Sequence, residues 1–409
     1  MFFFKLFLSS WILIIAGIGF VKVNSSPAYK ILPPIHVPIA GASNLNAYLR
    51  LIRGKRVGMV VNQTSILGKH HLVDSLLKLK INITKILVPE HGIGGDSDAG
   101  EKIKSSMDES TGILMLSIYG DHRKPTGDDL KDLDIIIFDI QDIGVRFYTY
   151  IATMSLVMEA CAEHHVPVIV LDRPNPNGYY VDGPVLKEGF ESFVGMHPVP
   201  VVYGLSIGEY ALMINGEGWL ANKVKCDLTV IPCKHYDHTM TFEFPVKPSP
   251  NIPNLRSILL YPSICFFEGT DWSEGRGTST PFVVFGHPKY SAGDYQFTPI
   301  SLPGAKSPKL LNQVCQGHNL SDVSIGKIKS WKRINLHWLL KAYENVKNRD
   351  SFFSANHYFD KLAGTNQLMA QIKEGESEAA IRASWKADIA AYMLIRKKYL
   401  LYKDFEYNK

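Results

Sequence analysis

Five short apolar runs constrain this chain more than any other feature. They are Arg56 to Val61, Ile83 to Val88, Ile113 to Ile118, Asp134 to Phe138 and Val166 to Leu171. A strand with one wet face alternates apolar and polar residues, so a run without alternation needs burial on both faces. Between the runs, His70 to Lys80 carries Leu72, Leu76, Leu77 and Leu79 at helical spacing, and Phe147 to His164 has the length and pattern of a long helix. Strands separated by helices imply a parallel sheet covered on both sides. Residues from about 40 to 235 are therefore read as one doubly wound α/β domain. From Cys226 the texture changes: prolines crowd between Pro245 and Pro262, a Gly/Ser/Thr-rich loop runs from Glu268 to Thr280, and Trp331 to Val346 and Ala387 to Tyr399 have amphipathic helical patterns. Residues 236–409 are read as a smaller α+β domain.

The bulk numbers exclude several classes. Of 409 residues, 46% are hydrophobic and 20% charged, which rules out a disordered, fibrous or polytopic membrane chain. The net charge of +5 falls to +3 without Lys5 and Lys22, too small an excess for a chain whose main partner is nucleic acid. The N-terminus, residues 1–25, has Lys5 followed by an apolar run from Leu6 to Val21, the pattern of an export signal. An uncleaved membrane anchor is the competing reading, although the run falls short of the roughly 20 residues a span prefers. The expected location is therefore periplasmic or secreted, with no stable membrane partner unless that segment stays attached. Five sparse cysteines are not a disulfide framework. They read as mostly buried thiols, with a Cys226–Cys233 pair as the alternative. No Cys-x-x-Cys or other recognised metal spacing occurs, so no metal is expected.

Each apolar run ends in a polar cluster: Asn62-Gln63-Thr64, Pro89-Glu90-His91-Gly92, Tyr119-Gly120-Asp121, Asp139 to Arg146, and Asp172 to Asn177. Ligands of open parallel sheets bind outside the carboxyl ends of the strands. Turn formation explains the Asn, Gly and Pro residues; it does not explain Glu90, Gln141 and Arg146, which point to a polar cleft. The loop Glu268 to Thr278 adds Glu268, Glu274, Arg276 and Trp272 among three glycines. An indole beside acids can stack on a sugar ring, and the same composition also suits a flexible surface loop. Gly92-Ile93-Gly94-Gly95 does not complete a dinucleotide fingerprint because residue 97 is Ser97, no phosphate-loop motif is present, and no Gly-x-Ser-x-Gly elbow exists. A nicotinamide-dependent oxidoreductase and a serine esterase or amidase are thus poorly supported.

Several of these segments resemble one family. Pro89-Glu90-His91-Gly92, Asp98-Ala99-Gly100-Glu101, Phe138 to Tyr150, Asp172-Arg173-Pro174-Asn175-Pro176, Glu268-Gly269-Thr270, Gly275-Arg276-Gly277-Thr278, Phe359 to Thr365 and Arg396 to Tyr402 are similar, in order, to exo-β-N-acetylmuramidases of the NamZ type. The likeness spans about residues 50 to 402. It implies a Rossmann-like domain, a smaller C-terminal domain, and an active site in the cleft between them. It implies an exported bacterial glycoside hydrolase that removes terminal non-reducing β-1,4-linked N-acetylmuramic acid (MurNAc) from peptidoglycan fragments, without a cofactor. Its substrates would be oligosaccharides of MurNAc and N-acetylglucosamine (GlcNAc). Gly94, where the family usually has Arg, and Asp271-Trp272, where an Asn-containing pair is usual, depart from the pattern. Gly94 keeps a non-catalytic muropeptide-binding protein as the alternative.

Glycoside hydrolysis needs a proton donor for the leaving oxygen and a second carboxylate. Glu90 is the expected general acid; Glu274, Glu268 and Asp142, in that order, are candidates for the second. The lactyl carboxylate of muramic acid calls for a cation, and arginine binds carboxylates bidentately. Arg146 is favoured for this role, with Arg173 and Arg276 as alternatives. Asn62, Gln141 and Asn175 would hold hydroxyls or the acetamido group, Trp272 would stack on the sugar, and His91 would either position Glu90 or pack in its loop.

Overall fold

The apolar runs form a single sheet in a computed structural model of the protein, which describes residues 37–95, 97, 98, 101, 105–109 and 111–406. The proposed export segment and the Ala99-Gly100 step of the second motif lie outside these residues. The strands are β1 (Val57–Val61), β2 (Ile83–Val88), β3 (Ser106–Met107), β4 (Leu114–Ser117), β5 (Ile135–Asp139), β6 (Val168–Leu171) and β7 (Leu228–Ile231). Their spatial order is β3-β4-β2-β1-β5-β6-β7. Every pairing is parallel except that of the short edge strand β3 with β4.

Side chains on a strand point alternately to opposite faces, and here both faces are dry. Val57, Met59 and Val61 of β1, with Ile135 and Ile137 of β5, join one apolar cluster; Val60, Ile136 and Phe138 join the other. The first cluster is closed by helices α1 (Leu45–Ile52) and α2 (Leu72–Lys78). The second is closed by α3 (Tyr150–Glu163) and α4 (Ile207–Gly216) and continues without a break through the C-terminal segment to Phe405. Val37 to Lys409 pack as one compact unit.

The expected mainly parallel α/β sheet and the smaller C-terminal region are both present, with local differences. His70-His71 pairs with Ile66-Leu67 as a short antiparallel ladder, so α2 starts only at Leu72. Phe147 to Thr149 precede α3 rather than opening it, which leaves them in the loop after β5. Strand β7 had no apolar run to announce it, because three of its four residues are only half-buried at the sheet edge. In the C-terminal region a three-stranded antiparallel sheet (Val284–His287, Tyr295–Phe297 and Cys315–Asn319) accompanies α5 (Leu255–Ile264), α6 (Tyr358–Ala363) and α7 (Glu378–Arg396). Trp331 to Val346 yields a helix only at His337–Glu344, while α7 begins nine residues before Ala387, capped by the Ser377 side chain. All five cysteines are buried free thiols, Cys226 and Cys233 included.

Candidate active site

The loops after β2, β4 and β5 open onto a cavity of about 430 Å³ at the carboxyl end of the sheet. Glu90 and His91 come from the first loop, Tyr119 and Arg123 from the second, and Phe147 to Tyr150 from the third. Glu268, Arg276, Tyr261, Phe282, Tyr358 and Lys361 line the opposite side. The lining thus mixes two glutamates with cations, hydroxyls and aromatic rings.

Glu90 is held by two hydroxyl groups. Tyr119 Oη donates to Oε1 at 2.8 Å and Thr149 Oγ1 donates to Oε2 at 3.2 Å. His91 follows with φ of +70°, a left-handed conformation that turns the chain sharply, and its Nδ1 donates to the carbonyl of Ser97 at 2.7 Å. This bond ties the loop back on itself, while the residue also lines the cavity.

Glu268 faces the same cavity and meets Arg276, whose Nη2 lies 2.6 Å from Glu268 Oε1. Arg276 Nε approaches Glu274 Oε1 at 3.4 Å, and the guanidinium lies over the Phe282 ring. Burial alone would lower the Arg276 pKa, but the Glu268 and Glu274 carboxylates outweigh it and raise it. Tyr150 and Tyr358 are pushed upward by burial first, then by the charge of Glu90 for Tyr150 and of Glu268 for Tyr358. Both hydroxyls therefore remain protonated donors at neutral pH.

The other expected site residues lie elsewhere. Glu274 does not line the cavity: its side chain is 3% exposed, behind Arg276, and Lys309 Nζ approaches its Oε2 at 2.9 Å. Asp142 is fully buried, accepts from Gly144 N–H at 2.7 Å and from the Tyr203 hydroxyl, and has its pKa raised by burial to about 6. Arg146, the favoured partner of a lactyl carboxylate, is 1% exposed. Its guanidinium donates to the carbonyls of Pro184, Val199 and Leu362 at 2.8, 2.7 and 2.9 Å. Arg173 forms a bidentate pair with Asp139 at 2.6 and 2.8 Å. Asn62 Oδ1 accepts from Thr64, Gln141 Nε2 donates to the carbonyls of Asp142 and Pro174, and Asn175 Nδ2 donates to that of Leu205. Trp272 has no exposure and packs against Phe267 and Tyr290, so its indole is core rather than a sugar platform.

Of the expected residues, the structure thus brings Glu90, His91, Glu268 and Arg276 together. It adds Tyr119, Arg123, Thr149, Tyr150, Tyr358 and Lys361, which sequence reasoning gave no role. Tyr119 stood inside a strand-end cluster, and Thr149 and Tyr150 inside the Phe138 to Tyr150 segment that carries the family resemblance. Arg123 lies four residues further along, where only its charge could have drawn notice.

A tyrosine-lined cavity at the carboxyl end of a parallel sheet, with one glutamate from a strand-end loop and a second from the C-terminal region, has the parts of an acid–base hydrolase of polar substrates. Comparison with known proteins narrows that class: the chain belongs to the exo-β-N-acetylmuramidase NamZ family and is a glycoside hydrolase. Residues 57–256 match the N-terminal domain of exo-beta-N-acetylmuramidase NamZ, and residues 259–402 match its C-terminal domain. The chain is 38% identical over 373 residues to the peptidoglycan beta-N-acetylmuramidase NamZ of Bacillus subtilis (strain 168), covering 87% of this chain and 89% of that protein. Two crystal structures of DUF1343 family proteins from Bacteroides fragilis NCTC 9343 share the fold. One, 45% identical, has a TM-score of 0.83 and is matched over 90% of this chain and 100% of that one. The other, 29% identical, has a TM-score of 0.76 over 90% and 99%.

Proposed function

We propose that the protein is an exo-acting glycoside hydrolase that releases terminal non-reducing β-1,4-linked MurNAc from peptidoglycan fragments, with Glu90 as general acid and Glu268 as the second carboxylate. The observation that carries this reading is the pair of glutamates on one cavity, each fixed by its own partners. Glu90 would protonate the leaving glycosidic oxygen, aimed by Tyr119 and Thr149. Glu268 would support the oxocarbenium-like centre or the attacking water, with Arg276 as its fixed counter-charge. The tyrosine rings supply apolar faces for a pyranose and protonated hydroxyls for its polar edge. A cavity of about 430 Å³ is at the small end of ligand sites and suits a terminal sugar better than the middle of a chain. The B. subtilis relative, a peptidoglycan beta-N-acetylmuramidase, supports the substrate class. We further propose export, directed by Lys5 and the apolar run that follows it, which would place the enzyme among wall fragments.

The test is release of MurNAc from a MurNAc-GlcNAc disaccharide by wild type and by Glu90→Gln, followed by mass spectrometry. Release by wild type and its loss in the variant is expected. Equal release by both would remove Glu90 from the chemistry. Binding of the disaccharide by wild type without release would favour the non-catalytic muropeptide-binding alternative.

A further inference from the structure

We propose that Arg123 is the cation that selects muramyl over glucosaminyl residues, by gripping the lactyl carboxylate. The assignment rests on the muramidase reading above and deepens it. Muramic acid differs from glucosamine by one ether-linked lactate, negatively charged at neutral pH, so selectivity between them falls to a positive group that touches the first sugar. Among the described residues, three cations line the cavity: Arg123, Arg276 and Lys361. Arg276 is committed to Glu268 and Glu274, and a carboxylate arriving there would compete with two already in place. The other two arginines expected from the sequence are spent as well, Arg146 on three carbonyls and Arg173 on Asp139.

Arg123 is differently placed. It is exposed on the loop after β4, and its guanidinium makes no ion pair or hydrogen bond among the described residues. Its head is nonetheless placed, because Cζ lies 4.5 Å over the centre of the Phe193 ring. A guanidinium held over a ring by its charge keeps N–H groups free for a carboxylate, which it can receive in two parallel bonds. Phe193 packs in turn on Tyr119, with ring centres 6.1 Å apart, and the Tyr119 hydroxyl donates to Glu90. Two ring contacts and one hydrogen bond therefore connect the expected proton donor to the free cation along one wall. A muramyl residue placed with its anomeric oxygen at Glu90 would carry its lactyl ether on C3, two ring carbons from the anomeric centre, so the carboxylate would sit away from Glu90. Lys361 is the weaker choice: it borders both this cavity and a neighbouring one of about 540 Å³, and an ammonium is a point charge without the planar fork.

The experiment compares kcat/KM for MurNAc-GlcNAc, for the same disaccharide with its lactyl acid converted to the carboxamide, and for GlcNAc-GlcNAc. The enzymes are wild type, Arg123→Gln, Arg123→Lys and Lys361→Met. Wild type is expected to favour the free acid over the carboxamide by roughly 10- to 100-fold, the range of one charge-assisted hydrogen-bonded pair. The preference should shrink as salt is raised, because Arg123 is exposed. In Arg123→Gln the acid-to-carboxamide ratio should fall close to one, in Arg123→Lys it should be partly kept, and in Lys361→Met it should persist. A variant that merely loosened the Tyr119 wall would lose activity on all three substrates with the ratio intact, and that result overturns the assignment. So does an unchanged ratio in Arg123→Gln, or its collapse in Lys361→Met. If wild type releases sugar from none of the three, the muramidase reading itself fails, an outcome separate from the choice of cation.

Discussion

Glu268 and Glu274 both reach Arg276, but only Glu268 faces the cavity. Replacing each by glutamine should therefore separate chemistry from stability. Glu274 is 3% exposed and sits between Arg276 Nε at 3.4 Å and Lys309 Nζ at 2.9 Å. Removing one partner of a buried ion pair costs about 3–5 kcal/mol, because the remaining charge stays buried and unpaired. Arg276 keeps Glu268, and Lys309 also donates to the carbonyls of Phe267 and Thr270, so the cost should fall toward about 2–4 kcal/mol. For a chain of this size, 1 kcal/mol shifts the unfolding midpoint by about 1.3 °C, which gives a fall of about 3–5 °C for Glu274→Gln.

Glu268→Gln should behave in the opposite way. Arg276 keeps Glu274, so the midpoint should move less, while kcat for MurNAc release should drop by about 10²- to 10⁴-fold if Glu268 takes part in the chemistry. Thermal unfolding followed by circular dichroism and kcat at saturating disaccharide measure the two axes. A Glu274→Gln enzyme with an unchanged midpoint and no turnover, beside a fully active Glu268→Gln enzyme, would refute the assignment.

Two further outcomes follow from the buried groups. Burial raises the Asp142 pKa from 3.8 to about 6, so between those values the native state takes up a proton that the unfolded chain does not. Its contribution is present below pH 4 and lost as pH rises through 6. The stability gained on Asp142→Asn should therefore be larger at pH 7.5 than at pH 4.5, by on the order of 2 kcal/mol, and a pH-independent difference in urea unfolding would contradict this. Arg146→Met removes a buried charge but orphans carbonyls that the guanidinium now satisfies. Val199 keeps its bond from Leu186 N–H, which leaves Pro184 and Leu362 as the main losses. At about 1–3 kcal/mol for each orphaned group, a midpoint lower by about 3–8 °C is expected; an unchanged or higher midpoint would mean that desolvating the charge costs more than its bonds return.

The sheet was legible because its signal is redundant. The runs at Val57, Ile135 and Val168 are apolar on both faces, and both faces are buried. Strand β7 escaped because an edge strand with half-buried residues needs no continuous run. Helix starts were misplaced where a local alternative competed, as at His70-His71, whose ladder delays α2. Glu90, Glu268 and Arg276 were legible as charged residues in turn-rich segments. Arg123 and Tyr358 were not, since one exposed arginine and one tyrosine carry no pattern until the chain folds around them.

The overcounted residues have a common physical cause. A polar side chain at the carboxyl end of a buried strand enters a region with little water, and there it must find a partner. Asp139 finds Arg173, Asp142 finds Tyr203 and Gly144, Asn62 finds Thr64, and Arg146 finds three carbonyls. These residues form an inner polar layer whose bonds are all directed at one another and at the backbone. The groups that reach the cavity come from the loops after β2, β4 and β5, as Glu90, Tyr119, Arg123 and Thr149 do, or from the C-terminal region, as Glu268 and Lys361 do. A strand-end rule applied to sequence therefore finds the right loops but counts both layers. The layers should part under mutation. Inner-layer changes that remove these bonds should lower stability and kcat together, because they loosen the platform that aims the acid. Changes in the lining should alter kcat or KM while the unfolding midpoint stays nearly fixed.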